Sequence, residues 1–330
     1  MTDKLKIGVI GAGHLGRFHI SKLTRIRDVS FIGFYDTSVQ RSDEISKEFN
    51  IQSFDRIESL TDSCDAVTIA TPTTMHYDCS KIALEYDCHI FVEKPFTNSV
   101  VQASELVSLA EERELFIQVG HIEQFNPAFL SVKSLNIQPE FIEAHRLSPF
   151  PGRGFDVPVV LDLMIHDIGI LLTLVKSDVN SIHAFGQCVV SDTIDLANAR
   201  IEFNNGCVAN LTASRVALKK MRKMRLFQHH RYLTIDFMNH IVEDYSAFDH
   251  HPREAESNNV FHIDGPNEKY VLYNNMDIEP HDALELELKH FLEAVKLNQN
   301  DGYSGREAAE ALKLAIQIQN KIEQNLSQFA

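Results

Sequence analysis

The sequence predicts an α/β protein, with a parallel, doubly wound sheet in its first part and an open, mainly antiparallel sheet in its second. Two observations carry this prediction. Up to Gly120, short apolar runs alternate with segments of helical periodicity, which is typical of βαβ units. Beyond Gly120, several strand-like runs follow one another without helices between them, and one pair is joined by an Asn-Gly turn.

The first part contains a series of apolar runs of strand length. They are Lys6–Ile10, Val29–Tyr35, Ala66–Ala70, His89–Val92 and Phe116–Val119. Helical segments lie between them, from Gly13 to about Arg25, around Asp43–Glu48, from about Met75 to Tyr86 and from about Ser99 to Glu114. Because helical segments connect successive strands, the strands are expected to be parallel and to share one sheet.

The alternation ends near Gln124-Phe125-Asn126-Pro127, so we expect one domain at residues 1–122 and a second at 123–330. In the second domain we predict a strand at Glu140–Leu147 and a helix at Val159–Val175, which starts after Pro158. A hairpin is predicted from Ile194–Phe203 and Cys207–Ser214. Two final helices are predicted at about Asp282–Leu297 and Gly305–Gln324. Asp244–Asn259 is predicted to be a loop. This division is compatible with a C-terminal helix that packs back on the first domain.

Composition narrows the class of protein. The chain of 330 residues has a net charge of −15, which disfavours a general nucleic-acid surface. No continuous apolar run reaches the length of about 18 residues that predicts a membrane span, and the N-terminus lacks the pattern of a secretory signal. The cysteines form no C-x-x-C pair, and we interpret them as buried thiols of a cytoplasmic protein; they are Cys64, Cys79, Cys88, Cys188 and Cys207.

A basic run lies in the second domain and consists of Lys219, Lys220, Arg222, Lys223, Arg225 and Arg231. Basic and apolar residues partly alternate there, so we interpret it as the solvated face of a strand. Contact with a substrate phosphate or with a partner subunit is the alternative. Two histidine pairs, His229-His230 and His250-His251, predict no metal site, because adjacent residues on a strand face opposite ways.

The first strand is followed by Gly11-Ala12-Gly13-His14-Leu15-Gly16, the G-x-G-x-x-G pattern of dinucleotide-binding Rossmann domains. Gly11 permits the tight turn, Gly13 lets the backbone approach a pyrophosphate, and Gly16 lets helix and strand pack closely. The helix N-terminus favours phosphate charge. Asp36 ends the next strand and can accept hydrogen bonds from ribose hydroxyls while repelling a 2′-phosphate, so NAD is predicted over NADP. A turn that binds nothing, and Asp36 as a helix cap, are the alternatives.

Three further motifs carry chemistry. Thr71-Pro72-Thr73-Thr74-Met75-His76 and Glu93-Lys94-Pro95 each follow a strand, and ligands of such folds bind beyond the carboxyl ends of strands. Asp162 and His166 are four residues apart, so they share one helix face. His166 can take the proton of an alcohol, Asp162 can orient it, and Lys94 can stabilise the alkoxide. A core histidine bonded to Asp162 and a surface lysine are the alternatives.

Together with Phe125-Asn126-Pro127, these motifs resemble the Gfo/Idh/MocA family of sugar and polyol oxidoreductases. The resemblance spans the chain and implies an NAD-dependent dehydrogenase in which a Rossmann domain precedes an α/β domain with an open sheet. It implies catalytic roles for Lys94, Asp162 and His166. The predicted cofactor contacts are Gly11, Gly13, His14, Leu15, Gly16, Asp36, Thr71, Pro72, His76, Glu93 and Lys94. The predicted substrate contacts are Lys94, Gln124, Asn126, Arg153, Asp162 and His166.

The segment that contains Arg153 looks most like family members that oxidise C3 of UDP-linked amino sugars. Arg153 can pair with a diphosphate, although a surface position is an equal alternative. The expected substrate is thus a sugar or sugar nucleotide. Two other functions remain open: a glycoside hydrolase that retains NAD and oxidises C3 transiently, and a non-catalytic NAD-dependent sensor. Because the open sheet leaves one face uncovered, a homodimer or homotetramer through the C-terminal sheet is predicted.

Overall fold

The computed structural model describes residues 4–135, 137–150, 157–252, 259–265, 268–299 and 303–327. The chain divides into two units. The first contains residues 1–122 and 284–313, and the second contains residues 123–283 and 314–330. The predicted boundaries assign residues 284–313 to the second domain, whereas they belong to the first unit. Position along the sequence does not show on which unit a late helix packs.

The first unit is built on a six-stranded sheet in which every neighbouring pair is parallel. Its strands are β1 (Leu5–Ile10), β2 (Val29–Tyr35), β3 (Ser53–Phe54), β4 (Ala66–Ile69), β5 (His89–Glu93) and β6 (Ile117–Gly120). Their order is β3-β2-β1-β4-β5-β6, so the direction of winding changes between β1 and β4. Ligands of doubly wound sheets bind at this switch point, beyond the carboxyl ends of the strands.

Helices connect the strands of this sheet. They are α1 (His14–Leu23), α2 (Val39–Phe49), α3 (Ile57–Thr61), α4 (Thr73–Glu85) and α5 (Val100–Glu112). Ser38 and Ser99 start α2 and α5, because each hydroxyl accepts a hydrogen bond from the backbone N–H three residues later. A cap of this kind stabilises a helix by about 1 kcal/mol.

The second unit is built on a nine-stranded sheet. Its strands are β7 (Phe141–Leu147), β8 (Val179–Gln187), β9 (Leu196–Phe203), β10 (Val208–Ser214), β11 (Met221–Gln228), β12 (Arg231–Asp236), β13 (Ile241–Phe248), β14 (Val260–Ile263) and β15 (Lys269–Asn275). The order is β14-β15-β13-β12-β11-β7-β10-β9-β8, and all neighbours are antiparallel except β7 and β10. The predicted fold class, a parallel sheet followed by an open, mainly antiparallel one, is confirmed.

The remaining helices are α6 (Pro127–Lys133), α7 (Ile165–Leu174), α8 (Ala283–Leu297) and α9 (Gly305–Ser327). A π-helical turn at Val160–Met164 leads directly into α7, so the helix predicted at Val159–Val175 forms with a widened first turn. In the first unit, α8 buries Leu288, Phe291 and Leu292 in the same core as β1. Each such side chain contributes roughly 1.5–3 kcal/mol on burial. None of the described helices is long and apolar enough to cross a membrane.

The predicted Asn-Gly hairpin forms, whereas the predicted loop at Asp244–Asn259 is partly a strand. The Asn-Gly turn closes the hairpin of β9 and β10: Asn205 accepts the N–H of Cys207, and Gly206 takes a φ of +88°. The loop predicted at Asp244–Asn259 is wrong in its first part, because Ile241–Phe248 forms β13. The sequence obscures this strand because one of its two buried positions is Asp244, whose charge is compensated by two hydrogen bonds from Arg231. Residues 253–258 lie outside the described residues.

The cysteines and the paired histidines also depart from expectation. Cys188 is exposed, whereas the other four thiols are buried. His229 and His230 lie in the turn between β11 and β12 rather than on a strand, and their ring centroids are 3.8 Å apart. His250 and His251 likewise lie beyond the end of a strand. Among the described residues, no group of three or more His, Cys, Asp or Glu side chains has the arrangement of a metal site.

Candidate active site

The glycine loop joins β1 to the N-terminus of α1 and has strict steric requirements. Gly11 adopts a φ of +90°, which side-chain-bearing residues rarely adopt. A Cβ on Gly16 would lie 1.8 Å from the carbonyl oxygen of Gly11, so only glycine fits there. At Gly13 a Cβ would meet no heavy atom within 4 Å, so the backbone faces open space. The loop thus offers bare backbone at the start of a helix, where an anion is favoured.

Asp36 at the end of β2 is tied to this loop. Its Oδ2 accepts the N–H of Ala12 at 2.7 Å, and its Oδ1 accepts the N–H of Ser38 at 2.8 Å. Ser38, and not Asp36, caps α2, because the Ser38 hydroxyl accepts the N–H of Arg41. Asp36 therefore fixes the loop against the neighbouring strand and keeps a carboxylate at the place predicted for a ribose.

A cavity of about 530 Å³ opens beside Asp36 and the glycine loop. Its walls come from the carboxyl ends of β1, β2 and β4 and from the helices α2, α3 and α4. The lining residues are Gly11, Gly13, Tyr35, Asp36, Thr37, Ser38, Arg41, Ile57, Ala70, Thr71, Pro72, Met75 and Cys79. Several predicted cofactor contacts therefore share one cavity. His14, Leu15 and Gly16 are the first three residues of α1; the first two are exposed and Gly16 is buried, and none of the three lines the cavity.

His76 connects the two motifs that follow β4 and β5. Its Nδ1 lies 2.8 Å from the carbonyl oxygen of Pro95, and its Nε2 lies 2.9 Å from that of Thr71. The ring is buried, and burial lowers its pKa. Both ring nitrogens thus face protein carbonyls. We infer that His76 holds the Thr71-Pro72 turn beside the Lys94-Pro95 bond rather than contacting a ligand directly.

Glu93 is the last residue of β5, Lys94 follows it, and both are half-buried. The Oε1 of Glu93 lies 3.0 Å from the Nε2 of His19, which is fully buried on α1. A Cβ on Gly120 would lie 2.9 Å from the Glu93 carboxylate, so Gly120 makes room for it. Burial, together with the charge of Lys94, lowers the pKa of His121 to about 3. Glu93 is thus packed inward against α1 and β6, and His121 is neutral at physiological pH.

In the second unit, Asp162 lies in the π-helical turn and His166 in the first turn of α7. Both are half-buried, whereas Met164, Ile165 and Asp167 around them are buried. The segment therefore keeps Asp162 and His166 partly accessible among buried neighbours. Single π turns of this kind occur frequently at functional sites.

A buried ionic network lies next to His166 along the chain. Arg146 on β7 donates two hydrogen bonds to Asp167, at 2.9 and 2.8 Å, and one to Glu123 at 2.7 Å. All three side chains are almost completely buried. Burial raises the pKa of Asp167, and the Arg146 charge opposes that shift. The forked guanidinium fixes the residue that follows His166, and with it the start of α7.

Gln124 and Asn126 are buried, and their amides bond to protein groups. The Nδ2 of Asn126 donates to Glu123 and to the carbonyl of Phe237, its Oδ1 accepts from the N–H of Ala128, and Gln124 donates to Thr173. We therefore propose a structural role for both amides in place of the predicted substrate contact. Arg153, also predicted to contact substrate, lies outside the described residues.

Sequence reasoning missed His19, Glu123, Arg146 and Asp167. Two of them carried a signal, since each is a polar residue in a buried position of a regular pattern. His19 follows Gly16 on the buried stripe of α1, and Arg146 follows Ile142 and Ala144 on the inner face of β7. A polar side chain at such a position needs a partner, but the sequence does not show which one.

Two family descriptions match the chain. The first, "Oxidoreductase family, NAD-binding Rossmann fold", covers residues 5–121, and the second, "GFO/IDH/MocA C-terminal domain", covers residues 142–231. The UDP-N-acetylglucosamine 3-dehydrogenase of Acidithiobacillus ferrooxidans is 35 % identical over 323 residues, which is 97 % of each chain. A scyllo-inositol 2-dehydrogenase (NAD(+)) of Bacillus subtilis is 28 % identical over 242 residues, which is 66 % of this chain and 69 % of that protein.

Solved structures agree with these matches. The UDP-N-acetylglucosamine 3-dehydrogenase from Acidithiobacillus ferrooxidans superposes with a TM-score of 0.87 at 33 % identity, covering 97 % of this chain and 98 % of that one. The scyllo-inositol dehydrogenase from Lactobacillus casei with bound NAD(H) and scyllo-inositol has the same fold, with a TM-score of 0.76 at 18 % identity and 98 % coverage of both. The predicted resemblance is confirmed, and the chain belongs to the Gfo/Idh/MocA family of NAD-binding oxidoreductases.

Proposed function

We propose that the chain is an NAD-dependent dehydrogenase that oxidises the C3 hydroxyl of UDP-N-acetylglucosamine or a closely related UDP-amino sugar. The similarity to the Acidithiobacillus enzyme carries this proposal, because it extends over 97 % of both chains. Lys94, Asp162 and His166 support it as the acid–base set that such a reaction needs. Each of them is neither fully buried nor fully exposed, which suits groups that must meet a ligand.

The residues around the glycine loop fit NAD. The open backbone at Gly13 and the N-terminus of α1 suit the pyrophosphate, and Asp36 faces a cavity large enough for the adenosine half. Asp36 also disfavours the 2′-phosphate of NADP. When bound, NAD accepts the hydride that leaves the sugar carbon. The glycine loop binds and orients this cofactor, and His76 and His19 hold the two strand ends that carry Thr71 and Glu93.

The remaining chemistry is the removal of a proton from the sugar hydroxyl. We assign His166 as the general base, since an imidazole titrates near neutral pH and accepts the hydroxyl proton at a ring nitrogen. Asp162, on the same helical segment, orients His166 or a neighbouring hydroxyl. Lys94 donates a hydrogen bond to the developing alkoxide and lowers the energy of the transition state. The three are assigned to one reaction on the strength of the family resemblance.

The decisive experiment combines a substrate screen with a variant. Wild-type protein, NAD and UDP-N-acetylglucosamine are expected to form NADH, followed by absorbance, with lower rates for free sugars and inositols. H166A should lower turnover roughly 10²- to 10⁴-fold while the Kd for NAD stays unchanged. The control variant Lys296→Ala, which changes an exposed residue on α8, should leave both the turnover and the Kd for NAD at their wild-type values.

Other outcomes identify other functions. Cleavage of a nitrophenyl glycoside without net NADH would replace the dehydrogenase with a hydrolase that retains NAD. Binding of NAD without turnover of any sugar would indicate a sensor. Full activity of H166A would remove the general-base assignment while leaving the substrate assignment in place.

We also propose that the protein is a cytoplasmic homodimer or homotetramer that assembles through the second sheet. One face of that sheet carries a row of half-buried aromatic rings at Phe227, Tyr232, Tyr245 and Tyr273, whose neighbouring centroids are 4.7 to 5.4 Å apart. A broad aromatic face of this kind favours a partner. Light scattering should give the mass of two or four chains, and a monomer mass would contradict the assembly. The free thiols support a reducing compartment.

A further inference from the structure

The basic run of the second unit separates into two parts with different environments. Four of its six cations form ion pairs with carboxylates of other elements. These pairs are Arg222–Glu123 at 3.3 Å, Lys223–Asp236 at 3.1 Å, Arg225–Glu143 at 2.8 Å and Arg231–Asp244 at 2.7 Å. Lys219 and Lys220 are exposed and form no ion pair with any residue that the structure describes. Their two charges are therefore available to a ligand, whereas those of the strand residues are compensated.

Lys219 and Lys220 lie in the loop that joins β10 to β11, and the base of this loop is tightly fixed. Arg215, which is buried and bonded to Asp195, donates to the carbonyl of Val157 at 2.7 Å. The N–H of Ala217 donates to the carbonyl of Ser148 at 3.1 Å. Ser148 and Val157, which flank the segment 149–156, are thus hydrogen bonded to Ala217 and Arg215, respectively.

These contacts join the base of the loop that carries the two lysines to Val157, just before the helical segment that carries Asp162. Val157 precedes Pro158, whose carbonyl accepts the N–H of Asp162 at 3.1 Å. Lys219 and Lys220 follow Ala217 by two and three residues, so their Cα atoms lie within about 11 Å of it, given at most about 3.6 Å per residue. A lysine side chain extends this reach further. The loop is therefore near enough to serve a substrate whose sugar lies at Asp162 and His166.

We propose that Lys219 and Lys220 bind the diphosphate of a nucleoside diphosphate sugar, in a subsite at the β10–β11 loop. The inference rests on the proposed function and names the part of the substrate that this loop recognises. Lysine is a compact point charge on a flexible stem and is well suited to phosphate oxygens. Two uncompensated ammonium groups in a chain of net charge −15 provide a local positive site that attracts a dianion.

The test compares the double variant K219A/K220A with K296A/K321A, which removes two other exposed lysines. UDP and uridine are measured as competitive inhibitors, because they share the nucleoside but only UDP carries the diphosphate. In K219A/K220A the inhibition constant of UDP and the KM for UDP-N-acetylglucosamine should rise roughly tenfold or more, with kcat and the inhibition constant of uridine unchanged. The control variant should resemble wild type in all four values.

Each alternative has its own result. An unchanged UDP inhibition constant in K219A/K220A, with wild-type activity toward UDP-N-acetylglucosamine, would overturn this inference and leave the proposed function standing. A wild-type protein that neither oxidises UDP-sugars nor binds UDP would overturn both. A smaller mass of K219A/K220A by light scattering, with UDP binding intact, would assign the two lysines to a subunit interface and also overturn the inference.

Discussion

The candidate functional groups of the two units differ in kind, with a backbone half in the first unit and a side-chain half in the second. In the first unit, the elements assigned to the cofactor are largely backbone, namely the bare turn at Gly11 and Gly13 and the start of α1. In the second unit, the groups proposed to act on the substrate are the side chains of Asp162 and His166, on a helical segment whose start is fixed by the buried Arg146. A site made of backbone requires residues without side chains where space is short. A site made of side chains requires buried partners that neutralise one another's charge.

The largest expected effect breaks the backbone half. In Gly16→Ala the new Cβ would lie 1.8 Å from the carbonyl oxygen of Gly11, and neither backbone segment can move without opening the turn. We expect the Kd for NAD to rise roughly 100-fold or more, since displacing a strained turn costs a few kcal/mol. Isothermal titration with NAD measures this loss.

The matched control for this variant is Gly265→Ala, because a Cβ at Gly265 meets no heavy atom within 4 Å. This change should leave both NAD affinity and thermal unfolding as in wild type. If Gly16→Ala binds NAD as tightly as Gly265→Ala does, the glycine requirement of the loop is wrong.

The second effect breaks the side-chain half. Arg146→Ala would leave the carboxylate of Asp167 buried without its cation and would leave Glu123 with only the partly exposed Arg222, so the free energy of unfolding should fall by about 3–5 kcal/mol. Arg225→Ala removes the same side chain from the neighbouring strand, where its ion pair with Glu143 is partly exposed, and should cost less than about 1 kcal/mol. Denaturant unfolding compares the two variants, and equal losses would show that the buried network does not stabilise α7.

The contrast also explains how much could be predicted from the sequence. The candidate site motifs could be recognised in the sequence, because each is local and its spacing follows from a steric or chemical requirement. They are the glycine loop, Asp36, Glu93-Lys94-Pro95 and Asp162 with His166. The fold class was predictable for the same reason, since alternating strands and helices report their own connectivity. The partners of Arg146 were not predictable, because Glu123 and Asp167 lie 23 and 21 positions away along the chain.

Polar residues in buried positions account for the remaining differences between sequence and structure. The sequence predicts ligand contacts for Gln124 and Asn126, whereas the structure shows internal hydrogen bonds that support the structural role proposed for them. Asp244 obscured β13 because an acidic residue at a buried strand position gives a sequence pattern that is typical of loops. In each case the deciding fact is a partner from a distant element, which local patterns do not contain.

A third test asks whether the first unit also depends on a buried charge. Glu287 on α8 is almost fully buried, and neither of its carboxylate oxygens has a hydrogen-bond partner among the described residues. Burial raises its pKa well above the ordinary value of 4.5, and the nearby charge of Glu93 adds to the shift. Glu287 is therefore expected to hold its proton in the folded protein at pH values where the unfolded chain has lost it.

The sign of the resulting pH dependence follows from proton counting. Below the unfolded pKa both states hold the proton, and the stabilisation is fully present. As pH rises above about 4.5 toward the folded pKa, the folded state holds one proton more, so the free energy of unfolding falls by about 1.4 kcal/mol per pH unit. Glu287→Gln cannot ionise and should flatten this decline, measured by denaturant unfolding between about pH 5 and pH 8. The exposed Glu293→Gln should keep the wild-type slope, and parallel slopes for Glu287→Gln and wild type would show that Glu287 is already ionised in the fold.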